Sequence, residues 1–302
     1  VLEGLSNIKP PVRLSATPYV VLQAQHYPEQ SSGKDISSSF GGGMDMKYGI
    51  NESFTLDMSL LPDFSQVQSD NKVKNLTAFE TVYSEQRPFF KEAVDLFMKG
   101  DIFYSRRIGK TPTLFYSVED SLKEGESISK NPVQQRLVNA TKVSGRNKKG
   151  LAIGVLNAVT ANTYATLSDA ENNQRKVLTD PATNYNLLVF DHALKNNSNV
   201  YITNTNVIRG SNFRDANVTA SGITLNDKSN TYRFSLSGGM SQVFMPAEAE
   251  NQRSTVRGYK YGVSASKTNG NLQWSVSRGT LDDKFNANDM GLTIYNNYNN
   301  NS

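Results

Sequence analysis

The feature that most constrains this chain is a period of two. Phe54, Leu56, Met58 and Leu60 alternate with Thr55, Asp57 and Ser59, which sends the two sets to opposite faces of a strand. The pattern returns at Met44, Met46, Tyr48 and Ile50, at Tyr232, Phe234, Leu236 and Met240, at Tyr259, Tyr261, Val263 and Ala265, and at Leu272, Trp274 and Val276. In each case the intervening residues are small, polar or charged. The alternation predicts eleven strands, near 12–27, 42–50, 54–61, 136–145, 150–159, 184–194, 200–208, 217–226, 231–241, 257–268 and 271–280. Each is of a length that could cross a bilayer when tilted.

The connections sharpen this. Asn51–Ser53, Arg146–Lys149, Lys195–Asn199, Asp227–Asn230 and Asn269–Gly270 are tight and rich in turn-forming residues. The others, near 28–41, 62–135, 160–183, 209–216, 242–256 and from 281 onward, are long, polar and without regular periodicity. Alternating tight turns and long loops match an all-β, antiparallel, up-and-down transmembrane barrel. A soluble β-sandwich also alternates, but strands of about ten residues exceed its usual five or six, and here the polar face is charged or glycine-rich. Bacterial single-chain barrels close on an even strand number. About eleven strands therefore point to a partial barrel, the first part of a larger one spanning 1–302.

Composition closes several branches. The 302 residues hold no cysteine and two histidines, His26 and His192, so thiol chemistry, disulfides and Cys/His metal sites are not expected. The net charge of +4 is spread along the chain, with Arg146-Asn147-Lys148-Lys149 as its densest run. That run reads as a solvated turn, and no nucleic-acid partner is expected. The longest apolar stretch, Leu151–Val159, is far short of a membrane helix. The sequence opens at Val1 without a signal segment and reads as a processed or excised piece.

The segment 62–135 is too long for a hairpin loop and is dense in aromatics: Phe64, Phe79, Tyr83, Phe89, Phe90, Phe97, Phe103, Tyr104, Phe115 and Tyr116. A long loop with its own apolar residues is expected to fold. Here it is expected to form a plug-like insertion over or into the lumen, with a short helix over Lys91–Lys99 stopped by Gly100, Val94 and Phe97 sharing one face. Its charged residues Glu80, Glu85, Arg87, Glu92, Arg106 and Arg107 are the candidate lumen charge network, read as structural ion pairs.

No residue is assigned a catalytic, cofactor-binding or metal-binding role. Arg107-Ile108-Gly109-Lys110-Thr111 ends like a phosphate loop, but Tyr104 stands where the first glycine is needed. The carboxylates Glu80 with Glu85, and Glu119 with Asp120 and Glu124, read as surface charge. The Asn-x-Ser/Thr triplets at Asn51, Asn75, Asn139, Asn196 and Asn217 are what an Asn-rich sequence produces by chance.

Four blocks carry a family resemblance: Leu61–Val67, Asn75–Glu80, Glu85–Glu92 and Phe103–Gly109. It continues at Lys142–Arg146, Gly154–Ala158 and Asp283–Gly291. They resemble a bacterial domain of unknown function that follows a family-9 carbohydrate-binding module in outer-membrane proteins, chiefly of Bacteroidota. The resemblance implies an outer-membrane β-barrel without established activity, and the module that would precede Leu5–Tyr19 is missing from this sequence. It also orients the chain, with tight turns periplasmic and 62–135 entering from outside.

The expected function is that of an outer-membrane pore, transport or envelope-assembly component. Its partners would be outer-membrane lipid, other outer-membrane or periplasmic proteins, and glycans. The alternative is a carbohydrate-binding or carbohydrate-processing envelope protein, and a soluble sandwich adhesin stands third. Trp274, mid-strand in an alternating pattern, is expected to face lipid or the interface.

Overall fold

The alternation becomes a single curved wall. The computed structural model describes residues 13–26, 36–62, 74, 76, 80–210, 212–246, 253–293 and 297–302, with the side chains of 23, 25, 26 and 36–39 excepted. Phe64, Phe79, Asn75 and most of the first two resemblance blocks lie outside them. Fifteen strands are formed: β1 Leu14–His26, β2 Ile36–Gly49, β3 Phe54–Leu60, β4 Ser127–Lys130, β5 Leu137–Arg146, β6 Leu151–Thr160, β7 Thr163–Ser168, β8 Gln174–Asp180, β9 Thr183–Ala193, β10 Asn199–Arg209, β11 Asp215–Asn226, β12 Tyr232–Phe244, β13 Thr255–Lys267, β14 Trp274–Leu281 and β15 Tyr298–Asn301. Twelve of them, all but β4, β7 and β8, form one sheet in chain order, every neighbouring pair antiparallel. This is the open wall of an up-and-down antiparallel barrel, with β1 and β15 at its edges.

All eleven strands read from the alternation are present, but the wall has twelve. The extra one, β15, is a run of Tyr and Asn without alternating apolar residues, held by backbone pairing to β14. The connection 160–183 is also not irregular. It forms the hairpin β7–β8, which joins β4 in a separate three-stranded sheet around Val118, Ala165 and Leu167.

Three of the five tight turns share one device, a side-chain oxygen accepting from backbone amides of the turn and the start of the next strand. Asn51 Oδ1 accepts from the amides of Ser53 and Phe54 at 2.8 and 2.9 Å. Asn147 Oδ1 does the same for Lys149 and Leu151, and Asp227 Oδ1 for Thr231 and Tyr232. All five turns lie at one end of the wall, and the long connections lie at the other.

Unlike a half-buried soluble sheet, the wall exposes large apolar residues on its outward face and buries polar and charged residues among apolar ones on its inward face. Its large outward residues, among them Val20, Leu22, Phe190, Ile202, Phe234, Leu236, Tyr259, Trp274 and Val276, are exposed. Its inward residues include Asp57, Ser59, Lys142, Thr160, Asp191, Thr203, Thr205, Arg209 and Ser241, all buried. Trp274 is outward, as the alternation expects.

Candidate functional site

Two inserted segments pack against the inward face. The first supplies Phe90, Leu96, Phe97 and Ile108, which cluster with Leu137, Leu156, Tyr185, Leu187, Val189 and Val207 of the wall and with Met290. The second, running on from β14, supplies Phe285 and Ala287, which cluster with Ile102, Val218, Ala220 and Leu281. Each large apolar side chain so buried contributes about 1.5–3 kcal/mol. Two backbone-reaching contacts join the segments: Tyr104 N donates to Met290 O at 2.8 Å, and Arg107 Nε to Gly291 O at 2.9 Å. The sequence treated everything after 281 as loop, so this second segment is a correction. Its only signal was the block Asp283–Gly291.

Glycines in the wall make room for both. A Cβ on Gly154 would stand 2.8 Å from the Phe97 ring, and one on Gly258 would stand 2.1 Å from Phe285 N. The second clash is with backbone and has no side-chain rotation to relieve it.

The expected helix over Lys91–Lys99 is broken into two single turns, α1 Pro88–Lys91 and α2 Val94–Phe97, with Ala93 between them at φ 57. The cause is a wall lysine. Lys142 Nζ donates to the carbonyls of Phe89 and Glu92, the acceptors that a continuous helix would offer to Ala93 and Leu96. The break also turns the buried face, so that Leu96 and Phe97 are buried and Val94 is exposed.

The six charges singled out from the sequence fall into three groups. Glu85, Arg87 and Arg106 come together. Arg87 forks onto Glu85 at 2.7 and 2.9 Å, donates to the carbonyls of Ile108 and Ser105, and lies 4.3 Å over the Phe90 ring. Arg106 Nε stands 3.9 Å from Glu85, and Ser105 Oγ donates to Glu85 at 2.5 Å. Burial pushes the Glu85 carboxyl up, but the hydrogen bonds and charge of Arg87 outweigh it and hold the group below its ordinary value. Glu80 and Arg107 form a second, separate fork at 2.7 and 2.9 Å.

Glu92 leaves both groups and joins the wall. Its carboxylate accepts from Lys47 at 2.7 Å and lies 4.0 Å from Lys142, and both lysines approach Asp57. The Lys47 hydrogen bond, against burial and with the Lys142 charge, holds Glu92 below the ordinary carboxylate range. The Lys142 side chain is 1% exposed and also covers the Phe89 ring.

Further charged ties were missed from the sequence. Asp191 on β9 meets Lys99 of the first segment at 3.5 Å and Arg146 of β5 at 2.5 Å. Lys260 on β13 donates to Gly100 O at 2.7 Å and lies over Phe285. Asp289 of the second segment, 2% exposed, is held by Arg209 of β10 and by Arg214, each at 2.9 Å. The signal for some wall partners was present, because Lys47, Asp57 and Lys260 occupy the polar phase of their strands, whereas Asp191 shares its phase with Tyr185, Leu187 and Val189. Pairing them needed the register and the path of the insertion.

At the end of the wall that carries the long connections, Thr113 N and Oγ1 donate to Asp180 Oδ2. Burial pushes Asp180 up, and burial with the Arg209 charge pushes the Lys110 ammonium down. Among the described residues no group of three or more His, Cys, Asp or Glu is placed to hold a metal ion.

The inward face thus carries both buried charges and an apolar cluster, and two folded segments engage it. The model of a family described as "Domain of unknown function (DUF5916)" matches residues 10–302. The chain belongs to that family. No curated protein matches this DUF5916 chain. Solved structures similar to it include OmpT, an outer membrane protein of Vibrio cholerae. Its in-vitro folded trimer form is 13% identical over 95% of both chains with a TM-score of 0.35. Its loop L8 deletion mutant is 12% identical over 89% of this chain and 92% of that one, with a TM-score of 0.34.

Proposed function

We propose that this DUF5916 chain is part of a bacterial outer-membrane β-barrel whose lumen is occupied by 80–109 and 282–293, a plugged pore or transport component held shut by ion pairs. The observation that carries the reading is the outward face of the wall, apolar and exposed at Leu22, Phe190, Ile202, Leu236 and Val276, while Lys142, Asp191 and Arg209 are buried inward. Only a surrounding apolar solvent makes such a wall favourable. The open edges at β1 and β15 require further strand partners in lipid, since unsatisfied backbone groups are costly there.

The test uses the full-length protein. It is expected in the outer-membrane fraction, with heat-modifiable migration in detergent and low conductance in planar bilayers that rises when Asp289→Asn or Lys142→Met loosens the plug. Solubility without detergent would sink the membrane reading. Conductance unchanged by both variants, with the barrel intact, would sink the plug. Label applied outside intact cells is expected at 169–173 and not at 147–149.

A second reading, glycan contact at the outer end, is favoured by one observation. Tyr116 is 86% exposed and stands edge-on to Phe115 beside the small sheet. Retention of this chain on insoluble polysaccharide, lost on Tyr116→Ala, would support it.

A further inference from the structure

The 302 residues contain a single Asn–Gly step, Asn269-Gly270. It stands in the tight connection between β13, which ends at Lys267, and β14, which begins at Trp274. Both residues are exposed.

This turn spends its asparagine differently from the others. At Asn51 and Asn147 the side-chain oxygen accepts from amides two to four residues ahead, which holds the carboxamide forward of the next peptide. Asn269 Oδ1 instead accepts from the amide of Gly270 itself, at 2.7 Å. Cγ, one bond behind that oxygen, is thereby folded against the Gly270 nitrogen. The Gly270 N–H has no backbone acceptor among the described residues, so nothing in the ladder or the turn holds it back.

Two further features favour attack by that nitrogen. Gly270 carries no side chain to obstruct the approach and takes φ 96, whereas Glu52 and Lys148 follow the other two asparagines. A Cβ on Gly270 would stand 3.7 Å from Lys267 Nζ, so an ammonium lies beside the peptide. It stabilises the negative charge that develops as the amide loses its proton.

We propose that Asn269 is a site of spontaneous deamidation, a reaction for which the β13–β14 turn holds nucleophile and electrophile together. Hydroxide takes the Gly270 amide proton, and the nitrogen forms a bond to Asn269 Cγ. The Cγ–Nδ2 bond then breaks, the departing nitrogen takes a proton from water to leave as ammonia, and the hydroxide is restored. The product is a five-membered imide. Water opens it at either carbonyl, giving aspartate or its β-linked isomer. Water is the sole co-reactant, and nothing is oxidised or reduced. Either product sets a carboxylate beside Lys267 and lowers the net charge of +4 by one. The isomer also lengthens the main chain of the turn by a methylene. None of this depends on whether the wall faces lipid.

The experiment follows the full-length protein at mildly alkaline pH by peptide mass mapping. A product one dalton heavier is expected to accumulate at Asn269, as aspartate and isoaspartate together, while Asn147 in the same digest stays intact. The folded protein is expected to react at least as fast as the same chain in urea. Asn269→Gln, whose longer side chain would have to close a larger ring, is expected to lose the product while the protein migrates as the wild type does. An unmodified Asn269 in the folded protein would overturn the proposal. So would a slower reaction when folded than in urea, or equal modification of Asn147.

Discussion

Arg87 is the residue on which the first inserted segment turns, and Arg87→Met isolates its contribution. The methionine keeps most of the apolar stem over Phe90. The change leaves the carbonyls of Ser105 and Ile108 without their guanidinium donors and leaves Glu85 with Ser105 and the more distant Arg106. Both partners of the pair are about nine-tenths buried, at 9% and 11% side-chain exposure, and breaking a buried pair from one side costs about 3–5 kcal/mol. Because the wall's own ladder is untouched, that cost falls on opening of the segment. The assay is hydrogen exchange at the amides of Phe90 and Ile108, which bond to the carbonyls of Arg87 and Ser105. Exchange there is expected to accelerate by about 150- to 5,000-fold, with heat-modifiable migration unchanged. Arg87→Lys, which keeps the charge and loses the fork, is expected to fall between. Acceleration under about tenfold, or equal acceleration in β9 and β10, would refute the assignment of this pair as a local clasp.

The same pair sets a pH response. Glu85 is held below its ordinary value of 4.5, so its contribution is complete above that pH and is lost as pH falls through the lower folded value; exchange at Ile108 is expected to rise in that acidic window, and Glu85→Gln to abolish the dependence. Asp289→Asn leaves Arg209, 4% exposed, facing a neutral group, and is expected to destabilise the second segment by about 3–5 kcal/mol, read by protease cleavage within 282–293. Gly258→Ala places a methyl against the backbone of Lys284 and Phe285 and is expected to expel that segment while β12 and β13 stay paired, again read by cleavage there. Gly154→Ala meets only side chains, Phe97 and Leu96, and is expected to cost about 1–3 kcal/mol of overpacking at the first segment, measured by exchange at Phe97.

How far the sequence carried depended on contrast between faces. Strands such as Phe54–Leu60 set Phe, Leu and Met against Thr, Asp and Ser, so all eleven alternating strands could be read. β7 and β8 bury Ala165, Leu167 and Thr179 among polar neighbours, and that contrast is too weak to separate a short hairpin from a loop. β15 has no apolar phase, and only its pairing to β14 defines it. The helix over Lys91–Lys99 was a sound local reading overturned from outside, because Lys142 takes the carbonyls that the helix needed. The charges within 62–135 stood out by density, yet Glu92 finds its partners on β2, β3 and β5. No local pattern relates those positions.

The contact between Arg107 and Gly291 joins residues 184 positions apart, and Tyr104 meets Met290 beside it. The interior therefore cannot reach its final packing until the chain beyond β14 is in place. Until then Phe285 and Met290 are missing from the clusters that Ile102 and Ile108 complete. Distant stretches of the chain share one interior, and the later one locks what the earlier one began.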